Sequence, residues 1–254
     1  MIKLRAFFLS LVLVILTLLV INQTYVKNIE DYYKVNDNSI RYGTSYEKYK
    51  SKDILANNIT PNTLVLLGSS ELVATKDQVY HPNRIFNYSD FNIMQIGTSY
   101  SQNIVQASTL GSIESAMTKR KVAIIESVQW YEKNGIHQDA FLNKASQEHI
   151  FNTLANEKIS KETKEKLINR VIEITKGNKQ QNDIYKKIKE VFVENKGNIL
   201  EKNLLELETK LYAFKIKQKF YMEKGKADYP LTGELTPKYN WEQMTNDFVK
   251  EVVK

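Results

Sequence analysis

Hydrophobic positions fall into three regimes along the chain. From Ala6 to Ile21 they are nearly continuous, 14 of 16 residues, broken only by Ser10 and Thr17. Between Thr63 and Glu126 they come in strand-length runs: TLVLL at 63–67, FNIMQI at 91–96 and VAIIE at 122–126. From Gln138 to Tyr221 they recur at the three- and four-residue spacing of one helix face.

The first regime reads as a membrane segment. Crossing the hydrocarbon takes about 20 residues, and Met1 to Leu4, with the stems of Lys3 and Arg5, lengthen the run. The following NQTYVKNIE offers no small-residue cleavage site, so the segment is expected to stay as an anchor, with a cleaved signal peptide as the alternative. Two cations precede it and no acid comes before Glu30, which places the N-terminus in the cytoplasm and the rest outside the cell. The expected organisation is an anchor over 1–24, a tyrosine-rich polar stalk over 25–60 and an extracytoplasmic domain over 61–254.

Within that domain the first and third apolar runs lack alternation, as expected of parallel strands covered on both faces. YSQNIVQASTLGSIESAM, 100–117, keeps a helical period, giving a strand-helix-strand unit. Residues 138–226 read as a helical insert: Ser160 is a candidate N-cap for a helix carrying Leu167, Ile168, Val171 and Ile172 and stopping at Gly177. Two more amphipathic helices follow over 182–194 and 198–221, the longer carrying a core-facing stripe of Leu204, Leu207, Leu211, Phe214 and Tyr221. ADYPLTGELTPKYN reads as a loop and Trp241 to Lys254 as a further helix. The fold class is α/β with a parallel sheet, and its plan reads as unfinished, pointing to a C-terminal truncation.

Composition narrows the chemistry. The chain has no cysteine, which excludes disulfides and thiol catalysis, and its three histidines (His81, His137, His149) have no metal-ligand spacing. The net charge of +7 is concentrated between Ser160 and Lys226, with 17 Lys/Arg against 10 Asp/Glu, while the remainder carries 19 of each. That surplus fits an anionic partner, and equally a set of solvated helix faces. Outside a cell, nucleic acid is not an expected partner.

Candidate chemistry lies where the apolar runs end. In open parallel sheets reactive groups sit beyond the carboxyl ends of strands. The first run ends in Gly68-Ser69-Ser70-Glu71, the second in Gly97, and the third leads into ESVQW with Gln129. A serine there suits a nucleophile facing a helix N-terminus, and a cap for the following turn suits the same serines. The Gly97 N–H and the Gln129 carboxamide are candidate oxyanion donors on that rim.

This layout resembles the SGNH (GDSL-like) hydrolases and, at closer range, the DltD family of membrane-anchored proteins of teichoic acid D-alanylation. The likeness lies in the short anchor, LLGSSEL, HPNRIFN, MQIGTSYSQNIVQA, VQWYEKNGI followed by FLNKAS, the helical insert and PKYNWEQM. It implies an SGNH-like, flavodoxin-like three-layer α/β/α domain, carried outside the membrane by a single-pass anchor. It further implies transfer of D-alanyl esters to lipoteichoic acid, with a membrane O-acyltransferase and a D-alanyl carrier or lipoteichoic acid as partners and no cofactor. By position Ser70 matches the family's block I nucleophile and Gly97 its block II glycine, while Gln129 stands where hydrolases carry asparagine. Nothing in this sequence matches the family's C-terminal Asp-x-x-His pair, and His81, His137 and His149 read as structural or exposed. The chain as given is therefore not expected to catalyse acyl transfer, whereas the complete protein is. A non-catalytic anchored adaptor and a general surface esterase are the competing readings.

Overall fold

The computed structural model describes residues 2–34, 38–43, 45, 47–73, 92–126, 128–131, 137–223, 246 and 250. The loop expected over 227–240 and the helix expected from Trp241 lie outside the described residues, apart from 246 and 250, and so does His81.

The chain begins with α1, Ile2–Ile21, apolar around its whole circumference. Its two polar interruptions cost little: the Ser10 hydroxyl donates to the Ala6 carbonyl (2.9 Å) and Thr17 to Leu13 (2.8 Å), so neither needs water. A π-helical turn, Asn22–Val26, carries the backbone without a break into α2, Lys27–Tyr33. The stretch Arg5–Tyr33 is long and apolar enough to cross a membrane.

The segment read as a stalk packs against the body. It forms α3 (Asn38–Tyr42), a 3-10 turn at Lys48–Lys50 and α4 (Lys52–Asn57), whose N-cap Ser51 accepts from the Ile54 N–H. Ile29, Tyr33, Ile40 and Ile54 bury together against Phe220. Lys48 is fully buried and spends its ammonium on backbone carbonyls, those of Arg41 (3.2 Å), Gly43 and Gln95 (2.8 Å), tying this segment to the sheet. Burial without a carboxylate holds its pKa well below the usual lysine range.

The sheet has three parallel strands, β1 (Thr63–Gly68), β2 (Asn92–Gly97) and β3 (Val122–Ile124), in the order β2-β1-β3. β1 is central, with Gly68 opposite Gly97 on one side and Leu67 opposite Ile124 on the other. Side chains alternate between two cores: Val65, Leu67, Met94 and Ile96 pack on Leu55, Ile113 and Met117, while Leu66 and Ile93 pack on Tyr42 and Leu72. β1 is covered on both faces, as expected, and so is β2. β3 is not: Ile124 is 47% and Ile125 38% exposed, so its unbroken apolar run does not report double-sided burial among the described residues. Between β2 and β3 runs α5, Asn103–Ile113.

Beyond the sheet five helices follow: α6 (Gln138–Lys144), α7 (Gln147–Ala155), α8 (Lys161–Ile174), α9 (Lys179–Phe192) and α10 (Ile199–Met222). Their starts follow capping chemistry, with Ser146, Ser160, Asn178 and Asn198 each accepting a backbone N–H one turn on, and Asn198 with Glu201 closing a full capping box. Helix α8 ends at Ile174, three residues before the expected Gly177. Phe141, Ile150, Leu154, Ile168, Val171, Tyr185 and Ile188 form their common core.

The expected core stripe of α10 is corrected. Leu204, Leu207 and Leu211 are 51%, 53% and 53% exposed, and the buried face is instead Leu205, Thr209, Ala213 and Phe220. This helix carries apolar residues on two opposite faces, and a period of three and four fits both. Phe214 and Tyr221 from the same stripe are partly buried beside Tyr25 and Tyr32, where the Tyr25 and Tyr221 rings meet edge to face at 6.3 Å. Several cations of the helical region pair with acids of the same region. Lys161, Lys166, Arg170, Lys186, Lys189 and Lys196 each lie within 4.0 Å of an acidic neighbour, the pattern of solvated helix faces.

Candidate functional site at the carboxyl edge of the sheet

β1 and β2 both end in glycine because their ends touch. A Cβ on Gly97 would stand 2.9 Å from the Gly68 carbonyl carbon and oxygen, and one on Gly68 would stand 2.7 Å from Leu72 Cδ1. No side chain fits at either position without moving the backbone or the Leu72 anchor.

Past Gly68 the two serines part company. Ser69 is fully buried; its N–H donates to the Glu71 carboxylate and its hydroxyl to the Thr98 carbonyl (3.4 Å). Ser70 is exposed and opens a 3-10 turn, Ser70–Leu72, anchored by the buried Leu72. Among the described residues the Ser70 hydroxyl has no hydrogen-bond partner, and neither serine side chain caps that turn. The turn is a single one, and the residues that follow from 74 to 91 lie outside the description, so no helix dipole is assigned to Ser70. Glu71 does not serve a dipole either; its carboxylate folds back onto the Ser69 N–H and fixes the turn.

The turn after β2 runs Gly97-Thr98-Ser99-Tyr100-Ser101. It closes with the Ser101 N–H donating to the Thr98 carbonyl (2.9 Å), and Tyr100 takes the left-handed backbone (φ 65°). The 3-10 turn Val128–Tyr131, which contains Gln129, comes up against it: the Tyr100 and Trp130 rings lie 6.1 Å apart, and Asn103 Nδ2 donates to Tyr131 Oη (3.4 Å). Tyr131 in turn donates to Glu126. The Gln129 backbone therefore belongs to a turn held on the rim, and its side chain lies outside the description. Below the rim is a cavity of about 10 Å³ lined by Gly68, Gly97, Thr98, Gln106, Lys50 and Lys144. It has room for about one water, and Ser70 stands on the exposed side of the rim.

The described histidines do not supply a base. His149 is buried, with Nδ1 2.6 Å from the Ser112 hydroxyl and Nε2 2.9 Å from the Tyr49 carbonyl. A carbonyl only accepts, so Nε2 carries the proton and the ring is a tie between α5, α7 and the Lys48–Lys50 turn. Burial pushes its pKa down to about 4. His137 is exposed at the start of α6 and makes no capping bond. The structural or exposed roles expected of these two are what the structure shows. Among the described residues no cluster of three His, Cys, Asp or Glu stands ready for a metal.

Sequence reasoning passed over the residues that hold this rim together. Thr98 and Gln106 lie inside the quoted MQIGTSYSQNIVQA without having been singled out, and Lys48 carries no pattern that marks it as buried. Lys50, beside the small cavity, is pushed down to about 8, chiefly by burial, with Lys144 and Lys219 adding like charge and Glu47 opposing.

No curated protein matches the chain. The profile of one family, described as DltD protein, matches residues 41–252, a span that takes in the sheet, the serine turn, both glycines and every helix from α4 to α10. With most of its length matched in one continuous stretch, the chain belongs to the DltD family.

Proposed function

We propose that this protein takes part in D-alanylation of teichoic acids as an anchored extracytoplasmic component, with Ser70 as the nucleophile that accepts the D-alanyl group. The observation that carries the reading is the contrast at the end of β1, where Ser69 is interred and Ser70 is exposed beside the Gly68–Gly97 contact. In the proposed step the Ser70 oxygen attacks the ester carbonyl of a D-alanyl donor while its proton passes to a base. The Gly97 N–H and the Gln129 carboxamide hold the oxyanion, and collapse breaks the ester C–O bond, with the leaving alcohol taking the proton. A second transfer to a hydroxyl of the wall polymer frees the serine. His149 is held by two partners, and the base this reading calls for is the Asp-x-x-His pair that the family resemblance implies.

The same reading takes α1 as a single-pass anchor with a cytoplasmic N-terminus, 61–254 as an SGNH-like α/β/α domain and 138–226 as its helical insert. Its partners are a membrane O-acyltransferase and a D-alanyl carrier or lipoteichoic acid, with lysines of the insert meeting polymer phosphates. The test is D-alanine content of the wall polymer in cells carrying the full-length protein as Ser70→Ala: a fall of at least about 100-fold in transfer is expected for loss of a nucleophile. Ser70→Ala cells with normal D-alanine support the second reading, a non-catalytic adaptor, which the engagement of both ring nitrogens of His149 favours.

A further inference from the structure

Gln106 lies beneath the rim on α5, 5% exposed, and its side chain reaches both turns that carry the proposed chemistry. Nε2 lies 3.2 Å from the Gly68 carbonyl and 3.3 Å from the Ser101 carbonyl. Both partners only accept, so the amide has one possible orientation, and the two hydrogens of a single NH2 are divided between the two turns. Gly68 is the residue before Ser69-Ser70, and Ser101 closes the turn that begins at Gly97. The carboxamide oxygen, Oε1, is buried with no partner among the described residues. An apolar side chain of this size would fill the space without that cost, so what Gln106 adds is the pair of donated bonds. Ser69 spans the same gap independently, through its hydroxyl on the Thr98 carbonyl.

We propose that Gln106 is a positioning residue, a latch that fixes the Ser70 turn against the Gly97 turn, with Ser69 as its second bolt. The proposal rests on the reading of Ser70 as nucleophile for its catalytic meaning, while the latch itself does not. Nucleophile and oxyanion donor come from different turns, and rate depends steeply on their relative placement, so a cross-link between the turns holds the geometry that the sheet alone leaves free beyond its last hydrogen bond. The roles are distinct: Gln106 touches no substrate and acts through the two backbones.

The experiment is amide hydrogen exchange on the full chain in detergent, for wild type, Gln106→Met and Gln106→Glu. The Met variant keeps length and burial and removes both donors; the Glu variant sets a carboxylate against two carbonyls. Exchange at Ser69, Ser70, Gly97 and Thr98 is expected to quicken roughly tenfold or more in Gln106→Met, with α8 to α10 unchanged. Unchanged exchange at those four amides overturns the latch, and so does a rise shared by every helix, which marks a general packing role. If the Glu variant does not fold, the Met variant carries the test. Adding Ser69→Ala to Gln106→Met is expected to raise exchange further at the same amides. In parallel, in the full-length protein, the rate of Ser70 modification by a fluorophosphonate is expected to fall about tenfold or more in Gln106→Met. Absence of modification in wild type refutes the nucleophile and leaves the exchange result standing; unchanged exchange refutes the latch and leaves the nucleophile standing.

Discussion

Ser69 and Ser70 are neighbours in the chain and opposites in environment, and the difference comes from what the backbone does after Gly68. The Glu71 carboxylate pulls the Ser69 N–H inward, Leu72 plugs the sheet end, and the residue between is left outside. A second residue-scale contrast sits at two adjacent positions on α7. Burial pushes Glu148 up to about 7, with Asp53 adding to the shift, and pushes His149 down to about 4. The signs are opposed. The raised carboxyl favours the fold at low pH and loses that advantage as pH rises through about 7, whereas the depressed imidazole favours it above 6.5 and loses it as pH falls toward 4. Each contributes on the order of 3 kcal/mol across its window, so in the wild type the two largely cancel between pH 4.5 and 6.5. Glu148→Gln keeps an acceptor for the Lys52 N–H and removes one side of the balance. Its urea midpoint is expected to climb steadily from pH 4.5 to 6.5, where the wild type stays nearly flat. The serine pair shows how far a sequence carries such a site: GSSE marks the place, but which hydroxyl is free follows from Glu71 and Thr98, and Thr98 is contributed by another strand.

At the scale of elements, legibility tracked how many faces an element buries. β1 and β2 were readable to within a residue because each is a short, mostly apolar run closed by glycine. Helix α8 was readable because Leu167, Ile168 and Val171 mark one face under a clear cap at Ser160. Helix α10 was not, since its leucines lie on two faces and the pattern does not say which face meets the body. Partner geometry decides: Leu205 packs into the shared core of the helices and Phe220 against Ile29, Tyr33, Ile40 and Ile54, leaving Leu204, Leu207 and Leu211 outward. Leu205→Ala is therefore expected to lower unfolding free energy by about 2–5 kcal/mol, and Leu207→Ala by no more than about 0.5 kcal/mol. Denaturant titration of both variants checks the assignment, and a larger loss at Leu207 would restore the stripe read from periodicity. β3 teaches the converse, because an apolar run promises burial only if neighbours cover it.

At the scale of the whole molecule, a chain of contacts joins α1 to the carboxyl edge of the sheet. Helix α1 continues through a π-helical turn into α2, α2 packs on the end of α10, and Lys217 of α10 pairs with Asp53 of α4 at 2.8 Å. Lys48 then ties the same segment to β2 just before Gly97. Under the proposed reading of α1 as an anchor, these contacts set where the sheet edge stands relative to the membrane. The absence of cysteine makes the topology simple to read. A single cysteine at the exposed Lys202 is expected to react with an impermeant maleimide on intact cells, and one replacing Lys3 only after lysis; the reverse pattern would contradict the orientation. The account as a whole turns on one hydroxyl, and mass-spectrometric mapping of a fluorophosphonate adduct on the complete ectodomain tests it most directly. The expected result is a single adduct on Ser70, absent in Ser70→Ala and retained in Ser69→Ala. An adduct on Ser69, or none on either serine, would contradict it.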